Sequence, residues 1–333
     1  MKNMNQTPHG TRAASAGRKT VGQFIGQNSV ALGMLLVLLV FQIINPKFFV
    51  FKNLVNVLNQ SSLLIIMSVG MMMAMSVKAV DLSTAQIADA AGLLSALLLI
   101  RGLPTWMAFV APVVFGGAVG AINCLLVSYL GISAIIATLG QMLILRSMEL
   151  MLTNSAEAQI LFTLPAKVTK KFFFLGTGDI FSIPFLILFT IVIVALAWFI
   201  RHKTALGREM DAVGGNARTA YLSGIRIRKV FGLAFIIGAF FSSISGVALV
   251  SRTGSAVPCS VEGYLMDCFV SVYLGVILSR SNRMNVLGTA VGALFTKLIS
   301  NWITLMGLGA AYKYGVNGLI ILAALSIGAL RKK

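Results

Sequence analysis

The sequence predicts an all-α, polytopic integral membrane protein of about ten transmembrane helices. Three observations carry that prediction: the spacing of apolar runs, the scarcity of charge, and the placement of basic residues. Apolar runs at 28–45, 60–78, 84–101, 105–129, 132–152, 182–200, 230–252, 262–279, 284–306 and 314–330 occupy most of the chain beyond residue 29. A helix needs about 20 mainly apolar residues to cross the hydrocarbon core, and most of these runs meet or approach that length. The composition agrees, at 58% hydrophobic and 11% charged, with a mean hydropathy of +0.92. A soluble domain carries about 25% charged residues. One transmembrane domain over 30–330 is therefore expected, preceded by a polar cytoplasmic tail over 1–29.

Orientation follows from the bias of Lys and Arg toward the cytoplasm. The tail holds Lys2, Arg12, Arg18 and Lys19 with no acid. Starting inside, an alternating count also places inside the basic segment 201–229, the short 279–283 loop and the terminal Arg331-Lys332-Lys333. Both termini are thus expected in the cytoplasm. The 154–181 segment falls outside despite Lys167, Lys170 and Lys171, and Phe172-Phe173-Phe174 within it suggests an interfacial helix. The tail lacks a small-x-small cleavage site before the first apolar run, so it reads as uncleaved.

The net charge of +18 does not indicate nucleic acid, because the cations sit at span ends and not on one solvated face. Cys124, Cys259, Cys268, His9 and His202 are scattered, without CxxC or HExxH spacing. No metal site and no cofactor are expected. No GxxxxGK[ST] phosphate loop or GxSxG elbow occurs. With nine carboxylates in the whole chain, catalysis by this polypeptide is not expected.

An internal echo bears on architecture. Gly116-Gly117-Ala118-Val119-Gly120 in the fourth span resembles Gly288-Thr289-Ala290-Val291-Gly292 in the ninth. Five spans apart, they run in opposite directions, as an inverted repeat of two halves would require. Each is also a GxxxG face, which brings helix backbones close without any repeat.

Charges at membrane depth are costly and usually face a cavity or a partner. Lys78 and Asp81 are three apart and positioned to neutralise one another. Ser83-x-x-Gln86 fits a capping box where a helix restarts. A broken helix with a polar path at its N-terminus would use Lys78, Asp81, Ser83 and Asp89. Arg146 and Glu149, also three apart, are expected to pair within their helix. Asp267 and Lys297 are expected to find partners across the bundle.

The most specific local pattern is the inner segment from Thr204 to Ile225. Gly214-Gly215-Asn216 reads as a turn, with Asn216 capping a short helix through Leu222 and Gly224 stopping it. Residues Ala217, Arg218, Ala220 and Leu222 would form that helix on the cytoplasmic face, with Ser223 at its end. It suits docking into a partner's groove, or it is a solvated loop that serves only the charge bias.

The pattern Thr204-x-x-Gly207-Arg208, Ala212-Val213-Gly214-Gly215-Asn216 and Leu222-Ser223-Gly224-Ile225 resembles the permease subunits of bacterial ABC importers of the ribose type. That family includes the autoinducer-2 permeases and lies in the branched-chain-permease superfamily. Further matches fall in order: Asn45-Pro46-Lys47-Phe48-Phe49, Asn53-Leu54, Asn56-Val57-Leu58, Val80-Asp81-Leu82-Ser83, Ile136-Ala137-Thr138-Leu139-Gly140 and Leu287-Gly288-Thr289. The resemblance implies a ten-span permease in the bacterial inner membrane, paired with a second copy or a sister permease. It implies a cytoplasmic ABC ATPase, a periplasmic or extracellular sugar-binding protein, and Gly214–Gly224 as the coupling helix in the ATPase groove. It also implies that Asp81-Leu82-Ser83 lies near the translocation path. Two departures stand out: Lys78-Ala79 where relatives have glycines, and the 274–283 sequence where they have paired glycines.

The leading expectation is therefore the permease subunit of an ATP-driven importer for a monosaccharide or related polyol. An ion-coupled secondary transporter would instead rely on midplane carboxylates such as Asp89 and Asp267. A membrane scaffold would use neither.

Overall fold

The computed structural model describes residues 21–155, 157–279 and 283–330. Residues 1–20, the centre of the 279–283 loop and the last three residues lie outside that set, so the charge counts resting on them have no structural counterpart here. The described chain forms thirteen α-helices: α1 (Val21–Ile44), α2 (Phe51–Ser76), α3 (Thr84–Ile100), α4 (Thr105–Cys124), α5 (Ala134–Leu152), α6 (Ala166–Thr177), α7 (Phe185–Lys203), α8 (Ala205–Gly215), α9 (Ala217–Leu222), α10 (Ile227–Thr253), α11 (Glu262–Leu278), α12 (Val286–Leu305) and α13 (Ala310–Leu330). A π-helical segment, Leu125–Tyr129, continues α4. A helix lies over each expected apolar run, and α1 starts inside the stretch read as tail.

Six helices (α2, α4 with its π segment, α5, α7, α10 and α12) are each long and apolar enough to cross a bilayer. The protein is thus a multi-pass, all-α membrane protein. Four two-residue strands complete the structure. β1 (Gln159–Ile160) pairs antiparallel with β4 (Ser255–Ala256), and β2 (Asp179–Ile180) with β3 (Ile183–Pro184).

Helices α2 and α10 form the centre. α10 packs on α2, α3 and α4, while α12 packs on α2 and α11. Glycine sets these crossings: a Cβ on Gly70 would lie 2.7 Å from the Gly238 carbonyl oxygen, and one on Gly92 2.9 Å from that of Gly246. Backbones meet directly there, as small residues permit in membranes. The rest of α2 fills the core with Met67, Met71, Met72 and Met73.

These contacts also fix depth. Along α2, Leu63 meets Ser245 and Gly70 meets Gly238, so α2 and α10 are antiparallel. Along α3, Ala88 meets Gly246 and Gly92 meets Val250, so α3 runs parallel to α10. Extrapolating, α2 ends about six residues below Gly238 and α3 begins near Ser242, so the break at 77–83 climbs roughly 15 Å through the bundle. The turn at 254–261 dips in from the opposite side, reaching Asp89 on α3. Irregular backbone survives at such depth only when protein or a cavity surrounds it.

α6 packs on the bundle, with Phe172 fully buried against Phe109 and the Gly176 amide donating to Ser251 Oγ. The GxxxG echo serves unlike contacts. Gly116 and Gly120 face Ser243 and Ala239 of α10, whereas Gly288 and Gly292 face Gly275 and Ser271 of α11.

Candidate functional site

The inner segment folds as two short helices meeting at Asn216. Thr204 caps α8 by accepting from the Gly207 amide at 3.3 Å. Buried Arg201 locks α8 to α7 by donating to the Gly207 carbonyl and to the Asp211 carboxylate, both at 2.6 Å. Asn216 Oδ1 accepts from the Arg218 and Thr219 amides at 3.0 and 3.1 Å. That satisfies two of the free donors at the start of α9. Gly224, with φ +84°, ends α9, and the Ile225 amide closes back on Ala220 at 3.1 Å. Gly214 and Gly215 belong to the last turn of α8 and do not form the expected turn, which is Asn216 alone.

The segment is amphipathic in its packing. Met210, Val213 and Ala220 bury beside Val77, Ala79 and Phe235. Tyr221 and Leu222 stay 68% and 77% exposed, beside exposed Arg218 and Ser223. Gly214 sits so close to the Ser76 carbonyl at the end of α2 that a Cβ would overlap it. Lys78, whose φ of +61° is unusual outside glycine, donates to the Gly215 carbonyl at 3.2 Å. A cation there complements the negative end of the α8 dipole.

Lys78 therefore does not neutralise Asp81. The Asp81 carboxylate is buried and accepts from its near neighbour Ser83, through the amide at 2.9 Å and the hydroxyl at 2.5 Å. Nor does Ser83-x-x-Gln86 form a capping box: Ser83 makes no side-chain cap, and Asp81 reaches over the start of α3 instead. Ser83 Oγ accepts from Asn123 of α4 at 2.9 Å. The Leu82 amide donates to Thr138 of α5 at 3.0 Å. The start of α3 is thus buried and tied to two neighbouring helices.

Asp89 lies elsewhere, at the 254–261 turn. Its carboxylate accepts from Ser260 Oγ at 3.2 Å and the Val261 amide at 3.3 Å. Glu149 of α5 accepts from the Cys259 amide at 3.1 Å. Cys259 takes φ +59°, and burial raises its thiol pKa above the ordinary value, with the Glu149 charge adding to the effect. Arg146 pairs with Glu262 at 3.0 Å, which corrects the expected Arg146–Glu149 bridge. Arg146 is drawn to the first residue of α11 and Glu149 to the turn before it.

A third cluster ties α11, α12 and α13 together. Asp267, fully buried, pairs with Lys297 at 3.2 Å and Lys313 at 3.0 Å, and accepts from Asn317 at 2.7 Å. The structure thus splits the four path candidates. Lys78 belongs to the α8–α9 joint, Asp81 and Ser83 to the start of α3, and Asp89 to the 254–261 turn. Sequence reasoning missed Asn123, Thr138 and Ser260 as partners. Thr138 lay inside the quoted Ile136–Gly140 match, a signal that was available. Among the described residues, no group of three His, Cys, Asp or Glu side chains converges as a metal site would require.

The family model for the permease component of branched-chain amino acid transport systems matches residues 53–325. The ribose import permease of Escherichia coli K12 is 28% identical over 317 residues, covering 95% of this chain and 98% of that protein. The D-allose transport permease of the same organism is 26% identical, covering 90% of each chain. The L-arabinose permease of Azospirillum brasilense is 25% identical, covering 98% of this chain and 94% of its own. No solved structure matches. With most of its length accounted for by that one match, the chain belongs to the permease-component family of branched-chain amino acid-type transport systems, and it is a transporter subunit and not an enzyme.

Proposed function

We propose that this chain is the membrane-spanning permease of a binding-protein-dependent ABC importer for a monosaccharide or a related small polyol, with ATP hydrolysed on a separate subunit. The relatives' ribose, allose and arabinose assignments support the substrate class. The observation that carries the mechanism is the inner joint. Exposed Tyr221 and Leu222 on α9 offer an apolar knob, while Gly214 and Lys78 connect α8 to the end of α2. A partner that seats on α9 can therefore push on the core. Gly214, Gly215, Asn216, Ala217, Arg218, Ala220, Leu222, Ser223 and Gly224 are assigned to this ATPase-coupling element, within a cytoplasmic segment at 201–229.

The proposal includes ten spans in a single domain over 30–330, in the bacterial inner membrane with both termini inside. An inverted repeat is supported by helix pairings. α4 on α10, α3 on α4, α3 on α5 and α3 on α10 have counterparts in α12 on α2, α11 on α12, α11 on α13 and α11 on α2. Asp89 and Asp267 are each the sixth residue of the helix after a deep break. Lys78, Asp81, Ser83 and Asp89 are assigned to the translocation path or its walls. The partners are an ABC ATPase, a periplasmic or extracellular sugar-binding protein, a second or sister permease, and membrane lipid.

The test is uptake by the reconstituted chain together with ATPase and binding protein, and labelling of Asn216→Cys from either side of the membrane. Sugar uptake that requires ATP, with labelling confined to the inner side, is expected. Outer-side labelling would overturn the coupling assignment.

A further inference from the structure

Behind the outer turn lies a cavity of about 230 Å³, walled by α3, α10 and the start of α11. Its polar lining includes Asp89, Thr253, Ser255, Ser260 and Tyr264. Ala88 and Gly246, where the two backbones meet, line its deep end, and Gly92 lines the α3 side above them. Thr253 and Val257 are exposed, so the cavity opens toward the side that the alternating count makes external.

Asp89 is 7% exposed, and among the described residues it has no ion-pair partner. Its hydrogen bonds, 3.2 Å from the Ser260 hydroxyl and 3.3 Å from the Val261 amide, lie just beyond the usual ranges of roughly 2.5–3.0 Å for O–H donors and 2.7–3.2 Å for N–H donors. The Ser260 amide also faces the carboxylate, so about one of its four lone-pair directions stays open. A charge at membrane depth is costly unless donors satisfy it, and a carboxylate only accepts. Hydroxyl groups of a polyol are donors of the right kind. Ser260 Oγ, already donating to Asp89, keeps lone pairs with which to accept in return. Lys297 lies 4.0 Å from the Tyr264 ring centroid, which fixes the ring that forms one wall.

We propose that this cavity is an outer binding station for the transported polyol, with Asp89 accepting from sugar hydroxyls and Ser260 and Tyr264 positioning the ring. The assignment rests on the importer reading and adds a site to it. A neutral, hydroxyl-rich solute is the ligand class.

The test uses the full chain reconstituted with its ATPase and binding protein, supplied with radiolabelled ribose, allose or arabinose. Wild type moves at least one of them, and Asp89→Asn lowers that uptake tenfold or more while still co-purifying with the ATPase. As an independent readout, Thr253→Cys in a Cys259→Ser background is alkylated by a membrane-impermeant maleimide. Saturating concentrations of the transported sugar slow that reaction at least threefold. If wild type transports sugar while Asp89→Asn matches it, the station is wrong and the importer reading stands. The station is equally wrong if sugar leaves the alkylation rate unchanged, or if sodium ions alone give the protection. Failure of wild type to move any of the three sugars would sink both.

Discussion

Adjacent glycines at the end of α8 give the sharpest test of the inner joint. Both are helical, so replacing either with alanine gains up to about 1 kcal/mol of helix propensity. At Gly215 a Cβ would meet nothing within 4 Å, and the carbonyl that accepts from Lys78 is untouched. At Gly214 the Cβ would overlap the Ser76 carbonyl oxygen. That oxygen is backbone at the end of α2 and cannot rotate away. Relief requires α8 to retreat by roughly 1 Å to restore van der Waals separation, and overpacking of this kind costs about 1–3 kcal/mol. The Lys78 contact to Gly215, already 3.2 Å, is then lost as well. Gly215→Ala should keep uptake and sugar-stimulated ATP turnover within twofold of wild type. Gly214→Ala should remain folded by size-exclusion profile yet lose at least fivefold in uptake per ATP hydrolysed. Equal behaviour of the two variants would refute the joint as a force-bearing contact.

Other expectations concern the clusters. Asp267→Asn leaves Lys297 buried without its counter-charge and should cost about 3–5 kcal/mol, read as a lower thermal-aggregation midpoint. Adding Lys297→Met should recover part of the loss. Ser251→Ala removes the acceptor for the Gly176 amide and the donor to the Phe172 carbonyl. About 1–3 kcal/mol of stability should go with them, measured by the same assay. Glu149→Gln weakens the hold on the Cys259 amide and removes a charge that raises the thiol pKa. The thiolate fraction rises at any pH below that pKa, so maleimide labelling of Cys259 at pH 8 should quicken several-fold.

Apolar length located the helices because crossing hydrocarbon leaves few other backbone solutions. The α9 cap at Asn216 was legible for a similar reason: an Asn before a short helix, with a glycine after it, has one economical geometry. Charge partners were not legible. Spacing suggested that Lys78 would meet Asp81 and Arg146 would meet Glu149, yet each contact is made across the fold. The i, i+3 rule assumes a continuous helix, and Lys78 with φ +61° stands outside one. Arg146 and Glu149 do share α5, but the incoming 254–261 turn offers the amide of Cys259 and the start of α11 just after it offers Glu262. A buried N–H without a partner costs more than a surface-type ion pair returns. Depth was equally hidden, because hydropathy reports the length of a run and not the level at which it begins.

The two deep breaks give α3 its place in the mechanism. Its lower end is bound through Asp81, Asn123 and Thr138 to α4 and α5, and the break below it leads directly to Lys78 and the proposed coupling segment. Five residues above its start, Asp89 holds the outer turn. Nearly every residue between is buried, and the Gly246 crossing leaves no room for sliding against α10. A 17-residue helix held in this way moves as a rod, since close-packed interfaces shift between discrete arrangements and do not deform smoothly. Displacement at Gly214 would therefore reach the turn at Ser260 as a change in the two bonds to Asp89, at 3.2 and 3.3 Å. Spatial continuity alone does not establish coupling. The physical evidence would be a double-mutant cycle between Gly214→Ala and Ser260→Ala on uptake: a non-additive result supports the rod, and strict additivity removes α3 from the route.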